Sequence, residues 1–150
     1  MTDAACTFCR VVDGTLESSV VHEDDDFLAF MDIQPVTRGH VLVIPKHHAT
    51  VLGELDEDAG AALFRVAQRV AAALRRSGLP CDGVNMFLAD GEAAFQEVPH
   101  VHLHVFPRTP GDGFRIDADW YVRPRDELDE AAAAVRSGWS TPAAGSSGAG

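Results

Sequence analysis

Between Val98 and Pro107 the chain reads Val-Pro-His-Val-His-Leu-His-Val-Phe-Pro, with histidine at 100, 102 and 104 and an apolar residue at each position between them. A hydrophobic period of two marks an extended strand with one buried face, because successive side chains point to opposite sides of a sheet. Val101, Leu103 and Val105 therefore belong to a core face. The three imidazoles share the wetter face, where neighbours stand roughly 7 Å apart, twice a rise of about 3.3 Å. Imidazole acts near neutral pH as nucleophile, acid, base or metal ligand, so this face is the candidate site. Gln96 and Arg108 flank it in sequence, and Lys46 and Arg38 are further candidates for a local phosphate site.

Such a strand needs partners, and the rest of the chain supplies them. Thr7 to Asp13 reads as a short helical turn closed by Gly14. Val20–Glu23 and Phe27–Met31 read as two strands, joined as a hairpin by the acidic run Glu23–Asp26. His40–Pro45 is an unbroken apolar stretch after a Pro- and Gly-containing loop, the pattern of a buried central strand. Asp56 is placed as an N-cap. Glu57 and Asp58 suit a first helical turn, and Leu63, Val66, Val70 and Leu74 recur at helical spacing toward Arg75, Arg76 and Gly78. Val84–Leu88 is a further strand, Asp90-Gly91-Glu92 a turn, and Leu128–Arg136 a short amphipathic helix.

Hairpin-length links early in the chain and one long helix in the middle predict an α+β fold. The expected architecture is an antiparallel sheet of about five strands, with one long helix and short flanking helices packed on one side. Residues 1–136 form the expected domain, and 137–150, rich in Ser, Gly, Ala and Pro, a flexible tail.

Twelve basic against twenty-three acidic residues give a net charge of −11. That balance repels polyanions at long range and argues against nucleic-acid polymers as partners. No apolar run approaches the roughly 20 residues of a membrane helix. The first residues lack the basic and apolar regions of a secretory signal, so a cytoplasmic address and no membrane partner are expected. The acidic runs Glu23–Asp26 and Asp56–Asp58 read as solvated turns and helix starts rather than cation sites.

Cys6-Thr7-Phe8-Cys9 is a C-x-x-C pair, compatible with a redox motif, a metal knuckle or two unliganded thiols. A redox pair of the thioredoxin type follows a strand and opens a long helix, which this one does not. His47, His48 and His100 are available to complete a closed Cys2His2 zinc site. Cys81 reads as a lone thiol.

His100-Val101-His102-Leu103-His104-Val105-Phe106 resembles the histidine-triad (HIT) pattern, in which three histidines alternate with apolar residues. The resemblance extends through Cys6-x-x-Cys9, Glu23-Asp24-Asp25, Ala29–Ile33, Gly39–Lys46 and Gln96-Glu97-Val98, covering most of residues 6–108. It is nearest the Hint-like branch and its bacterial zinc-containing relatives. The resemblance implies a homodimer that hydrolyses a purine nucleotide at the α-phosphate, as a nucleoside phosphoramidase or a dinucleoside polyphosphate hydrolase.

By that resemblance His102 is the nucleophile of a covalent nucleotidyl-histidine intermediate. His104 hydrogen-bonds the phosphate and assists the leaving group, and Gln96 contacts one or the other. Backbone N–H groups of Gln96, Glu97 and Val98 add donors to the developing charge. Asp32 receives the ribose hydroxyls, and Phe8, Val11, Leu16 and Phe30 wall the base. Cys6, Cys9, His48 and His100 form the implied structural zinc site, with His47 as the adjacent competitor. The chain departs from the family pattern at Ala89, commonly asparagine, and at Phe95, commonly glycine; both departures bear on turnover. Two other readings remain open on the sequence: a nucleotide- or partner-binding module with little turnover, and a hydrolase whose three histidines hold a catalytic metal.

Overall fold

The computed structural model describes residues 5–139. The chain divides into two compact units, Met1–Phe114 and Arg115–Gly150. The first unit holds helix α1 (Thr7–Val12), strands β1 (Val20–Glu23), β2 (Phe27–Met31) and β3 (Val41–Pro45), helix α2 (Glu57–Arg76), and strands β4 (Gly83–Leu88) and β5 (Leu103–Arg108). All strand pairs are antiparallel, in the order β1-β2-β3-β5-β4. The expected α+β sheet of five strands is thus present, and β3, buried at every residue, lies at its centre.

The elements form where the local chemistry favours them. Asp24 turns the β1–β2 hairpin by accepting the N–H groups of Asp26 (3.0 Å) and Phe27 (2.8 Å), so the acidic run is a capped turn. The carboxylate of Asp56 accepts the Ala59 N–H at 2.7 Å and caps α2. From that cap α2 turns Leu63, Val66, Val70 and Leu74 onto one sheet face, against Phe27, Ala29, Val41, Val43, Val101, Leu103 and Val105. Each such aliphatic side chain stabilises the fold by about 1.5–3 kcal/mol on leaving water. The opposite sheet face carries Leu28, Phe30, Leu42 and Ile44, and against it α1 packs Cys6, Phe8 and Cys9. The helices therefore cover both faces, which corrects the expectation of one covered side. The cause is local: Phe8 meets Phe30 edge-on with ring centroids 5.6 Å apart, which pins α1 to the face that α2 leaves free.

The second correction concerns the histidine strand. β5 begins at Leu103, so His100 and His102 lie in an extended approach to it rather than within the ladder. Pro99 has no N–H to give, the His100 N–H turns back to the Val98 carbonyl (2.8 Å), and the Val101 N–H goes to Ala49 outside the sheet (2.7 Å). The side-chain alternation survives this break, since Val101, Leu103 and Val105 all reach the α2 core. The other face is drier than expected: His100 is fully buried, His102 is 4% exposed and His104 is half-buried.

In the second unit α3 spans Arg125–Gly138, longer at both ends than the expected 128–136. The expected flexible tail from 137 falls almost wholly on 140–150, outside the described residues. Among the described residues no helix is long and apolar enough to cross a membrane.

Candidate functional site

Two sites stand side by side on the α1 face of the sheet, and His100 and His102 lead one into each. The first is a cluster of four donors. Cys6 is the N-cap of α1, and its sulfur accepts the Cys9 N–H at 3.5 Å, which turns both thiols the same way. His48, in the turn after β3, brings Nδ1 to 3.3 Å from the Cys9 sulfur. His100 brings Nδ1 to 3.5 Å from the Cys6 sulfur and 3.7 Å from that of Cys9. All four donor atoms lie within 4.8 Å of one another. His47 is exposed and takes no part in the cluster, so the turn presents His48 to it.

These separations test whether a metal fits. A tetrahedron with Zn–S near 2.3 Å and Zn–N near 2.0–2.1 Å has S···N edges of roughly 3.6 Å, and the three measured S···N distances bracket that value. The proton pattern agrees as well. Nε2–H of His100 donates to the Pro45 carbonyl at 2.8 Å, which leaves Nδ1 as a lone pair facing the thiols. Burial is the chief reason the His100 pKa lies below its usual value, and it keeps the ring neutral. The donor set thus suits a closed tetrahedral site for a divalent metal. Cys81 lies elsewhere, with its thiol 3.3 Å from the Gly83 carbonyl.

The second site is a cleft of about 650 Å³ lined by both remaining triad histidines. That volume is within the range of small-molecule sites. Its lining includes Phe8, Val11, Leu16, Phe30 and Asp32, together with Phe87, Phe95, Val98, Phe106 and Phe114. The Asp32 carboxylate accepts the Gln34 N–H at 2.8 Å, which fixes it at the end of β2.

His102 lines the cleft with its tautomer defined. A backbone carbonyl only accepts, so the 2.7 Å contact between Nδ1 and the His100 carbonyl puts the proton on Nδ1 and leaves Nε2 a lone pair. Burial depresses the His102 pKa, against the opposing effect of that hydrogen bond, and keeps the lone pair available. Phe8 packs edge-on against this ring at 5.1 Å. His104 lies 4.9 Å from His102 between ring centroids. Its pKa is pushed down to about 4, first by burial and then by His102 and His40.

Three expectations need correction. The triad does not converge on a common ligand: His100 turns to the thiols, His102 to a carbonyl and His104 to His40, so a catalytic metal held by all three has no geometric basis. Gln96 does not line the cleft. Its side-chain oxygen accepts the Gly91 N–H (2.7 Å), its amide donates to the Thr50 carbonyl (2.6 Å), and its own backbone N–H is taken by the Gly91 carbonyl (3.2 Å). It clamps the loop that presents its neighbours Phe95, Glu97 and Val98 to the cleft. Nor do Lys46, Arg38 or Arg108 reach the cleft. Lys46 pairs with Glu23 at 2.8 Å, and Arg108 is forked onto Asp112 at 2.6 and 2.9 Å, where it also stacks over Phe114. Among the described residues no lysine or arginine lines the cleft, whereas Glu17, Asp32 and Glu97 do.

Two cleft residues gain a physical explanation from the structure: Phe95, already set apart by its departure from the family pattern, and His40, which had no assigned role. Phe95 is 84% exposed and holds φ 64°, ψ 34°, the one left-handed non-glycine backbone among the described residues. His40, just ahead of β3, is buried and faces His104. Its signal in the sequence was the dipeptide Gly39-His40. Gly39 has φ 105°, and a Cβ there would stand 3.0 Å from Leu79 and 3.1 Å from Pro107, so only glycine lets the chain enter β3 at that angle.

Comparison with known proteins agrees with this architecture. The HIT domain pattern matches residues 13–111. An uncharacterised HIT-like protein of Mycobacterium tuberculosis is 40% identical over 126 residues, covering 84% of this chain and 86% of that protein. Adenosine 5'-monophosphoramidase HNT1 of Saccharomyces cerevisiae is 36% identical over 106 residues, covering 71% of this chain and 64% of the yeast protein. The crystal structure of a Zn-bound histidine triad family protein from Mycobacterium smegmatis superposes with a TM-score of 0.71 at 44% identity, over 90% of this chain and 98% of that one. On its sheet, its histidine motif and these matches together, the chain belongs to the HIT family.

Proposed function

We propose that the protein is a nucleotide hydrolase that works at the α-phosphate through a covalent nucleotidyl-histidine on His102, with a nucleoside phosphoramidate or a dinucleoside polyphosphate as substrate. The observation that carries this reading is the His102 tautomer: a lone pair at Nε2 on a ring that lines the cleft, secured by the His100 carbonyl on the far side. The similarity to the yeast adenosine 5'-monophosphoramidase points to the same chemistry.

The nucleotide's base enters between Phe8, Val11, Leu16 and Phe30, and its ribose hydroxyls donate to Asp32. Nε2 of His102 attacks phosphorus and the bond to the leaving group breaks. The positive charge that forms on the ring is shared through Nδ1–H with the His100 carbonyl. A phosphoramidate nitrogen departs as the amine, carrying the proton it already holds in the zwitterionic substrate; a polyphosphate departs as its anion. His104 hydrogen-bonds the phosphoryl group or the departing atom, and N–H groups of Glu97 and Val98 add donors where charge accumulates. Water then attacks phosphorus, the P–N bond returns its electron pair to Nε2, and the surplus proton passes to solvent. Bound zinc at Cys6, Cys9, His48 and His100 would be structural, holding α1, the turn after β3 and the approach to β5 together with no open position for water.

The same reading includes a purine nucleotide as substrate and a homodimer for which β4, an edge strand with Phe87 half-exposed, is available. It also includes a cytosolic address. Incubation with adenosine 5′-phosphoramidate or diadenosine polyphosphate, rapid quenching and mass spectrometry test it. The wild type gives an acid-labile adenylated protein, and His102→Ala gives none, with turnover reduced about 10³-fold or more. Hydrolysis that persists in His102→Ala overturns the reading. A second reading, a nucleotide-binding module with little turnover, draws on Phe95 and on buried Ala89 in place of a polar side chain; nucleotide binding without any adduct in the wild type would favour it.

A further inference from the structure

We propose that Phe95 and Phe87 form a second aromatic subsite of the cleft, which selects substrates whose leaving group carries an aromatic ring. Phosphorus at His102 is taken from the nucleotide-hydrolase reading, on which this inference rests.

Sheet order sets two ends of the cleft apart. Phe30 belongs to β2 and Phe87 to β4, with β3 and β5 between them. Three strand spacings of about 4.8 Å make that separation roughly 14 Å. At the β2 end Phe8 meets Phe30, and Phe8 also abuts His102 with ring centroids 5.1 Å apart. At the β4 end Phe87 is paired across the ladder with His104, so the two rings share one face of the sheet, their centroids 5.9 Å apart. A nucleotide with its base against Phe8 and Phe30 and its phosphorus at His102 leaves the β4 end to the group that departs.

The rings differ in what they lack. Phe30 and Phe8 are 5% and 7% exposed, already packed, whereas Phe87 is 48% exposed and Phe95, in the loop that follows β4, is 84% exposed; all four line the cleft. Neither open ring is loose. The ladder fixes the backbone of Phe87, and a closed loop fixes that of Phe95 at φ 64°. In that loop the Phe95 N–H donates to the Glu92 carbonyl (2.9 Å) and the Gln96 N–H to the Gly91 carbonyl (3.2 Å). The Gln96 side chain ties the Gly91 N–H (2.7 Å) to the Thr50 carbonyl (2.6 Å). A ring displayed on a fixed backbone takes a flat partner with little further loss of freedom. Aromatic faces also favour another aromatic ring beyond what burial of area alone gives. Two leaving groups have that chemistry: the second nucleoside of a dinucleoside polyphosphate and the aromatic amine of a phosphoramidate.

Matched pairs of substrates test the subsite. One pair is adenosine 5′-phosphoramidate bearing an N-benzyl or an N-cyclohexylmethyl group, alike in size and different in aromaticity. The other is diadenosine tetraphosphate against adenosine 5′-tetraphosphate, which lacks the second nucleoside. For each pair the ratio of kcat/KM is compared between wild type and Phe95→Leu, which cancels the intrinsic difference in leaving-group reactivity. At least one ratio should fall about fivefold or more in Phe95→Leu and be retained in Phe95→Trp. A fall confined to the benzyl pair identifies an aromatic amine, and a fall in the tetraphosphate pair identifies a second nucleobase. Ratios unchanged in both pairs overturn the proposal, whether or not kcat/KM itself drops. That is the result if the ring serves the adenosine base or a contact with a second copy of the chain. Should Phe95→Leu not fold, Phe95→Gly, free of backbone strain, takes its place. Should the wild type turn over no substrate, the hydrolase reading fails and calorimetric Kd values for the same pairs decide: a preference for the ring that Phe95→Leu loses upholds the subsite, and equal preferences overturn it.

Discussion

Phe95 occupies a backbone region that costs an L-residue with a Cβ about 1–2 kcal/mol, and it spends that cost at the rim of the cleft, exposed to water. A strained residue persists where its surroundings hold it or its placement is used. The strain predicts an ordering of substitutions. Phe95→Gly, free to adopt φ near 64°, should leave the urea midpoint unchanged or raise it, whereas Phe95→Val, branched at Cβ, should lower stability by about 1–2 kcal/mol. Equal losses in both variants would show that the ring's contacts, not the backbone, set the balance. The sequence made this position conspicuous only through a resemblance. The dihedral that explains why glycine belongs there is a property of the closed loop 91–96, in which the Phe95 N–H returns to the Glu92 carbonyl at 2.9 Å. His40 was equally hard to read. A histidine at the head of an apolar run looks like punctuation, and its relation to His104 depends on the β3–β5 register, which opposes Leu42 to His104 and is set by residues sixty positions apart.

Three separate segments build the thiol–imidazole cluster: the N-cap of α1, the turn beyond β3 and the approach to β5. Each alone is a poor ligand set, so a metal there would close two long loops at once and stabilise the folded chain by its binding free energy. Purified protein should contain one zinc per chain, and the double substitution Cys6→Ser, Cys9→Ser should abolish it and lower the melting temperature by several degrees. Elemental analysis with a thermal melt measures both, and an unchanged metal content would refute the ligand set. At this scale the sequence was most legible where a period is long and local: α2 with its Asp56 cap, β2, β3 and the hairpin are where hydrophobic spacing puts them. It was least legible where a non-local contact competes with the local pattern. The Val101 N–H leaves the expected strand for Ala49, and α1 chooses its sheet face through Phe8 against Phe30, which no periodicity in six residues encodes.

At the scale of the whole molecule the cleft gathers residues from Thr7 to Phe114. Its volume and its many aromatic lining residues follow from tertiary packing alone, whereas the two triad histidines that line it were already visible as a pattern. Among the described residues the cleft's lining includes Glu17, Asp32 and Glu97 and no lysine or arginine, on a chain of net charge −11. The nucleotide proposed as substrate, an anion, would thus approach uphill. Ionic strength should therefore act in reverse of the usual sense: between about 0.01 and 0.1 M salt, as the screening length shrinks from ~30 to ~10 Å, kcat/KM should hold steady or rise. A steep decline over that interval would mean that a cation from elsewhere in the protein or its assembly reaches the bound phosphate. For the nucleotide proposed as substrate, a concentrated electrolyte would favour encounter, because the repulsion of the acidic chain would then no longer hold it at a distance.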